Sequence, residues 1–269
     1  MRVDERKFTL LVSPYDVRDY KIACASAADF PEEFVLDNVT VKNQGLTGSC
    51  VAHACSSIVE YHNHRQEKND TVFSTEFIYG YRPSGYYVGE GMYIRDALKT
   101  IQKCGDVPLS DLQGNNEYSE AMEAVNAKLD ELKEKAHPHR ISSYMKLSSV
   151  DDIKTALMKY GYVIASMPWH ANYQLKNGVY TYSSNDIRGY HAVVIYGWNK
   201  DGWLVHNSWG KSWGNNGRFI VPFDFDWKET WSVTDNIVGD KDVIKPSENV
   251  FVKLFYRIIN FFANLFKKK

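Results

Sequence analysis

The sequence NQGLTGSC at residues 43–50 runs directly into VAHACSSIVEYHNHR at residues 51–65. The first stretch is a loop of small residues, and its last glycine and serine supply a turn and a helix cap. In the second stretch, apolar side chains recur at helical spacing, which predicts a helix from about Cys50 to His64. A cysteine therefore lies in the first turn of a helix.

After this helix the pattern changes from helical to strand-like. Apolar periodicity predicts further helices at 75–81, 95–104 and 150–160, and the polar stretch 117–135 forms either a surface helix or part of a loop insertion. Strand-like runs, separated by hairpin-type turns, lie at 162–167, 178–182, 191–198, 203–207 and 218–222. Helices followed by antiparallel strands predict an α+β fold with two lobes.

Breaks in these patterns divide the chain. A helical lobe is expected at about residues 1–140 and a β lobe at about 141–238, with the boundary near the His137-Pro138 break. Residues 239–249, GDKDVIKPSEN, are typical of a linker. Residues 250–269, the C-terminal tail, are expected to form a basic amphipathic helix.

The C-terminal tail carries five basic and no acidic residues, and its polar positions form one stripe on a helix. The remaining surface of this helix is apolar and too wide to be left exposed to water. It could lie in the interface of an anionic membrane, dock into the groove of a partner protein, or pack on its own domain. Charges interrupt it too often for it to span a bilayer.

The whole chain of 269 residues is 44% apolar and 24% charged, which excludes a disordered chain, a collagen-like fibre and a coiled coil. Lys and Arg number 32 against 33 Asp and Glu, which argues against a nucleic-acid binder. Four cysteines without a CxxC pair predict neither a disulfide scaffold nor a zinc or redox site. Without a signal-peptide pattern, we expect a cytoplasmic or peripheral membrane protein, or one associated with a virion.

Cys50 is the strongest candidate for a catalytic nucleophile. A thiol at a helix N-terminus faces the positive end of the helix dipole, which lowers its pKa and favours the nucleophilic thiolate. The alternative from composition alone is a buried structural cysteine. Three histidines on the same helix, His53, His62 and His64, do not share one face with Cys50, so no metal site is expected there.

A thiolate nucleophile needs a base, and His191 opens the apolar strand of GYHAVVIYGW. Asn207 ends the next predicted strand, WLVHN, and adjacent antiparallel strands would bring the two side by side. Cys50, His191 and Asn207 thus satisfy, in chain order, the requirement for a nucleophile, a base and an orienting group.

Together these motifs resemble those of the papain-like cysteine peptidases, in particular the prokaryotic and viral branch. The most specific is NSWGKSWGNNGRF at 207–219, with matches at Asn207, Ser208, Trp209, Gly210, Trp213, Gly214 and Gly217. The resemblance covers about residues 15–235. It implies a papain-like two-lobe fold, with a mainly helical N-terminal lobe, an antiparallel β lobe and the active site in the cleft between them.

The resemblance also implies a reaction, the hydrolysis of peptide bonds in a protein or peptide substrate by Cys50, His191 and Asn207. Gln44 lies where the family has its oxyanion-hole glutamine, and would act with the Cys50 backbone N–H. Trp209 would shield the His–Asn bond from water, pack in the core, or do both. No metal or organic cofactor is implied.

This sequence departs from the family pattern at two positions near the nucleophile. Thr47 stands where the family usually has a cysteine, and Val51 where it has a tryptophan. Because only 49 residues precede Cys50, no inhibitory pro-segment is expected. The rival interpretation is a catalytically silent papain-fold binding or virion structural module, against which the intact set of Gln44, Cys50, His191 and Asn207 argues.

Overall fold

The computed structural model describes residues 5–19, 29–36, 40–82 and 89–235. The helices in these ranges are α1 Cys50–Glu67, α2 Thr75–Gly80, α3 Ile94–Lys103, α4 Tyr118–Asn126, α5 Leu129–Ala136 and α6 Val150–Lys159. The strands there are β1 Phe34–Val35, β2 Ser143–Leu147, β3 Val163–His170, β4 Gln174–Lys176, β5 Val179–Thr181, β6 Ile187–Asn199, β7 Gly202–His206, β8 Arg218–Val221 and β9 Glu229–Thr234. This order of helices and strands confirms the predicted α+β class.

Helix α1 is the central element of the helical part. Its first fourteen residues, Cys50 to Asn63, are all buried, polar ones included. Small side chains such as Ala52 and Ala54 let neighbouring elements approach closely, and α1 packs against α2, α3 and β6. The helix ends at Glu67, and the next residue, Lys68, takes the left-handed conformation with φ 56° and donates its N–H to the carbonyl of His64.

The strands form one sheet in the order β2-β9-β3-β6-β7-β8-β5-β4, and β1 pairs with β6. The pairs are antiparallel, apart from the parallel pair β5–β8. β1 places Phe34 opposite Trp198, so residues before α1 contribute to the sheet, although the sequence pattern assigned them to the helical lobe. The sequence also gave no signal for β2, β4 and β9, which are short or lie at or near the ends of the sheet.

Successive side chains of β6 point alternately into two different apolar cores. Ala192 and Val194 face the core around α1, whereas Val193 and Ile195 face a second core with α6 and several tryptophans. The same alternation places His191 on the tryptophan face, in the first half of the strand. The predicted linker and C-terminal tail lie outside the described residues.

Candidate active site

Cys50 is the first residue of α1, as the sequence predicted, and it is 0% exposed. The backbone N–H of Ala192 lies close enough to the sulfur to favour its thiolate. Ala192 follows His191 on β6, so the packing of α1 against this strand brings the start of the helix to the histidine. Cys50 and His191, 141 positions apart in the chain, therefore lie on neighbouring elements, α1 and β6.

His191 and Asn207 are joined by a hydrogen bond in the structure. β6 pairs with β7, and Asn207 directly follows β7. His191 Nε2 lies 2.7 Å from Asn207 Oδ1, and the backbone N–H of Ser208 donates to the same oxygen over 2.8 Å. A backbone N–H can only donate, which identifies that atom of the amide as oxygen. His191 Nε2 must then carry the proton, which leaves the lone pair of the ring on Nδ1.

Trp209 covers this hydrogen bond. Its ring lies 4.8 Å from the His191 ring, centroid to centroid, and the side chain is 3% exposed. Trp169, on β3, packs edge-on against Trp209 at 4.5 Å and against His191 at 5.5 Å. Both roles that the sequence left open for Trp209, shielding and core packing, fit this position.

Gln44 is buried in the loop before α1 and is held at both ends of its side chain. Ser208 Oγ donates to Gln44 Oε1 over 2.6 Å, and Gln44 Nε2 donates to the carbonyl of Thr47 over 2.8 Å. The Gln44 backbone N–H also donates to the Ser208 carbonyl at 2.8 Å. These bonds tie the loop before Cys50 to the loop after β7. The side-chain amide of Gln44 has a second N–H, in addition to the one that donates to the Thr47 carbonyl.

Burial dominates the electrostatics of the thiol. It raises the pKa of Cys50 to about 11, because a thiolate without water is costly. Backbone N–H groups of Ala192, Val51 and Leu10 act in the opposite direction without outweighing burial. The lowered pKa expected at a helix N-terminus is therefore not found while the thiol is covered.

The histidines of α1 have contacts other than Cys50. His53 Nδ1 contacts the Ser49 carbonyl at 2.9 Å, and burial lowers the pKa of His53 to about 3. His64 lies in the last turn of the helix and pairs with Asp70 over 2.8 Å. Within the described ranges, no cluster of three His, Cys, Asp or Glu side chains could hold a metal ion, and no helix is long and apolar enough to cross a bilayer.

Sequence reasoning missed several residues of the site. Ser208 and Thr47, which hold Gln44, carry no sequence signal of that role beyond their place in the motifs. In the sequence, Trp169 has no feature that distinguishes it from an ordinary strand residue. Phe8 and Leu10, near the beginning of the chain, contact His191 and Cys50 respectively.

Comparison with known proteins identifies relatives of this chain. A family model described as papain family cysteine protease matches residues 28–232. The cathepsin B-like cysteine proteinase 3 of Caenorhabditis elegans is 31% identical over 209 residues, covering 67% of this chain and 56% of the relative. The cathepsin B-like cysteine proteinase 2 of Haemonchus contortus is 37% identical over 84 residues, covering 29% of this chain and 25% of the relative.

Solved structures share the fold. Xylellain, a cysteine protease from Xylella fastidiosa, superposes with a TM-score of 0.75 at 20% identity, covering 87% of this chain and 98% of that one. A procathepsin B from Trypanosoma congolense gives a TM-score of 0.65 at 13% identity, covering 87% of each chain. The chain spans between a quarter and just over half of the length of these curated relatives.

Proposed function

Because the chain belongs to the papain family of cysteine proteases, we propose that it hydrolyses peptide bonds through Cys50, His191 and Asn207. The observation that carries the proposal is the 2.7 Å bond from His191 Nε2 to Asn207 Oδ1. It leaves the Nδ1 lone pair to act as the base, on a ring that Trp209 shields from water. Cys50 supplies the nucleophile at the start of α1, beside the same strand.

The reaction follows from these positions. His191 Nδ1 takes the Cys50 proton, and the thiolate attacks the carbonyl carbon of the scissile bond. The carbonyl oxygen becomes an oxyanion, which the Gln44 side-chain amide and the Cys50 backbone N–H stabilise. The imidazolium then protonates the leaving amine, and a thioester to Cys50 forms. Water, deprotonated by His191, hydrolyses the thioester and restores the thiol.

The rival function is a papain-fold binding or virion module that cleaves nothing. The peptidase and the binding module differ in whether peptide bonds are cleaved in a reaction that depends on Cys50. We expect the wild-type chain to generate new N-termini in a mixture of denatured proteins, detected by mass spectrometry, and Cys50→Ala and His191→Ala chains to generate none. Equal fragment sets from wild-type and Cys50→Ala chains would contradict the proposal.

The C-terminal tail forms the second part of the proposal. Its basic stripe opposite a broad apolar face supports attachment to an anionic membrane surface, through apolar burial together with charge attraction. A groove on a partner protein is the alternative attachment. In the first case the peptidase would work at a membrane surface as a peripheral protein.

A further inference from the structure

Hydrogen bonds between Gln44 and Thr47 close the loop before α1 on itself. The carbonyl of Gln44 accepts from the Thr47 backbone N–H over 3.2 Å and from Thr47 Oγ1 over 2.8 Å. In return, Gln44 Nε2 donates to the Thr47 carbonyl over 2.8 Å. Thr47 therefore holds both the backbone and the side chain of the proposed oxyanion donor.

The serine that precedes α1 does not act as an ordinary helix cap. Ser49 is the N-cap residue, but within the described first turn of α1 its hydroxyl makes no capping bond. A serine at this position usually satisfies one of the free N–H groups of the helix, which stabilises the helix. Here the hydroxyl lies 2.6 Å from Thr47 Oγ1 and 3.3 Å from His53 Nδ1. It therefore joins the loop to His53 on the helix.

The carbonyl acceptors in this group fix the direction of its hydrogen bonds. The Gln44 carbonyl can only accept, so the Thr47 hydroxyl proton points to it, and the Ser49 hydroxyl must donate to Thr47 Oγ1. Burial lowers the pKa of His53 to about 3, so the ring is neutral and carries one N–H. The Ser49 carbonyl lies 2.9 Å from His53 Nδ1 and also only accepts, which places that N–H on Nδ1. One hydrogen-bond chain thus runs from His53 through Ser49 and Thr47 to Gln44.

This hydrogen-bond chain is shielded from water. Gln44 is 0% exposed, Thr47 is 7% exposed, and Ser49 and His53 are each 3% exposed. In such an environment successive hydrogen bonds polarise one another, and solvent does not replace a lost partner. Thr47 stands where the family usually has a cysteine, whose S–H is a weak donor. The strong donor at this position is therefore a feature of this sequence and not of the family pattern.

We propose that Thr47, Ser49 and His53 are positioning residues that aim the Gln44 side-chain amide at the oxyanion. This role rests on the proposed peptidase function, and it complements the hydrogen bond by which Ser208 holds the same side chain. The three residues act through Gln44. Loss of one of them should therefore leave substrate binding nearly unchanged and destabilise the transition state, in which the oxyanion needs the amide.

The test compares Thr47→Val, which removes the hydroxyl and keeps the branched shape, with Thr47→Ser, which keeps the hydroxyl. Hydrolysis of a fluorogenic peptide by the full-length protein gives kcat and KM, and urea unfolding gives the stability of each variant. We expect the kcat of Thr47→Val to fall about tenfold, the effect of one ordinary hydrogen bond, with KM little changed. Thr47→Ser should recover most of this loss.

Thr230→Val is the matched control. Thr230 is 5% exposed, and its hydroxyl also donates to a backbone carbonyl, that of Leu147, over 3.2 Å. This variant should lower stability to a similar extent and leave kcat unchanged.

Two further variants test whether the effect passes through Gln44. His53→Phe keeps a ring and removes the N–H at the other end of the hydrogen-bond chain, and should lower kcat about three- to tenfold. Thr47→Val added to Gln44→Ala should change kcat little, because no amide remains to be aimed. An equal loss of kcat from Thr47→Val with and without Gln44 would overturn the inference.

A second measurement does not depend on peptide hydrolysis. NMR spectroscopy of the isotope-labelled full-length protein at neutral pH should show His53 as the Nδ1–H tautomer. The Nε2–H tautomer, an unchanged kcat in Thr47→Val, or an equal loss of kcat in Thr230→Val would overturn the inference. A wild-type protein that hydrolyses nothing would refute the peptidase function, and the catalytic role of Thr47, Ser49 and His53 with it, whereas the tautomer would still decide whether the hydrogen-bond chain exists.

Discussion

Ser208 offers the sharpest test of the proposed oxyanion site. Its hydroxyl donates to Gln44 Oε1 over 2.6 Å in a buried environment, so Ser208→Ala leaves that acceptor without its partner. An unsatisfied buried acceptor costs about 1–3 kcal/mol. If all of it fell on the transition state, kcat would drop about 5- to 150-fold. Gln44 keeps its bonds to the Thr47 carbonyl and to the Ser208 backbone, so we expect the lower end, about tenfold.

The assay is hydrolysis of a fluorogenic peptide, with kcat and KM determined separately and urea unfolding measured in parallel. The effect should fall mainly on kcat, because the Gln44 amide meets the oxyanion only as charge develops. Ser143→Ala is the matched control, since its hydroxyl bonds to Thr234 at the far end of the sheet. It should lower stability to a comparable or smaller extent and leave kcat unchanged.

A double-mutant cycle sharpens the test. Gln44→Ala alone should lower kcat on the order of a hundred- to a thousandfold. Adding Ser208→Ala to that chain should then change kcat little, because the hydroxyl no longer has a partner to orient. If Ser208→Ala lowers kcat equally with and without Gln44, or lowers stability while sparing kcat, Ser208 does not act through the oxyanion donor.

Three further predictions concern the base, a buried acid and the C-terminal tail. Asn207→Ala should lower kcat about ten- to a hundredfold, since it orients the base without taking part in bond chemistry, whereas Cys50→Ala should abolish turnover; equal losses in single-turnover kinetics would contradict this. Burial raises the pKa of Asp106 to about 8, beside the Lys42–Glu60 ion pair. The folded chain therefore binds a proton there that the unfolded chain has released, and this contribution to stability falls as pH rises from about 4 to 8. The free energy of unfolding in urea should drop more between pH 5 and pH 8 for wild type than for Asp106→Asn, and parallel curves would argue against a raised pKa. Replacing the three final lysines by glutamate should weaken co-sedimentation with anionic vesicles and leave hydrolysis of a soluble peptide unchanged; if wild type also stays in the supernatant, the membrane hypothesis fails.

Much of the fold could be predicted because the deciding patterns are local. The helix that begins at Cys50 was predicted from periodicity and from the small-residue loop before it, and its start agrees with the structure. The β6–β7 hairpin was predicted from the turn signal at residues 199–202, and the His191–Asn207 bond follows from that pairing. β1 was missed because a strand of two residues is too short to show a pattern. β9 was missed because its partners, β2 and β3, lie far away in the chain and no turn signal links it to them.

What the sequence by itself determined is the set of reactive groups, their order and the local elements that carry them. Only the tertiary structure decided the environment of those groups. The pKa of the Cys50 thiol depends on the loss of water, and burial reverses the direction that the helix dipole alone predicts. The hydrogen bond from Ser208 to Gln44 joins residues 164 positions apart. Leu10 and Cys50, which are 40 positions apart in the chain, lie in one apolar core. Desolvation and contacts between distant segments arise from packing in three dimensions, which no local periodicity encodes.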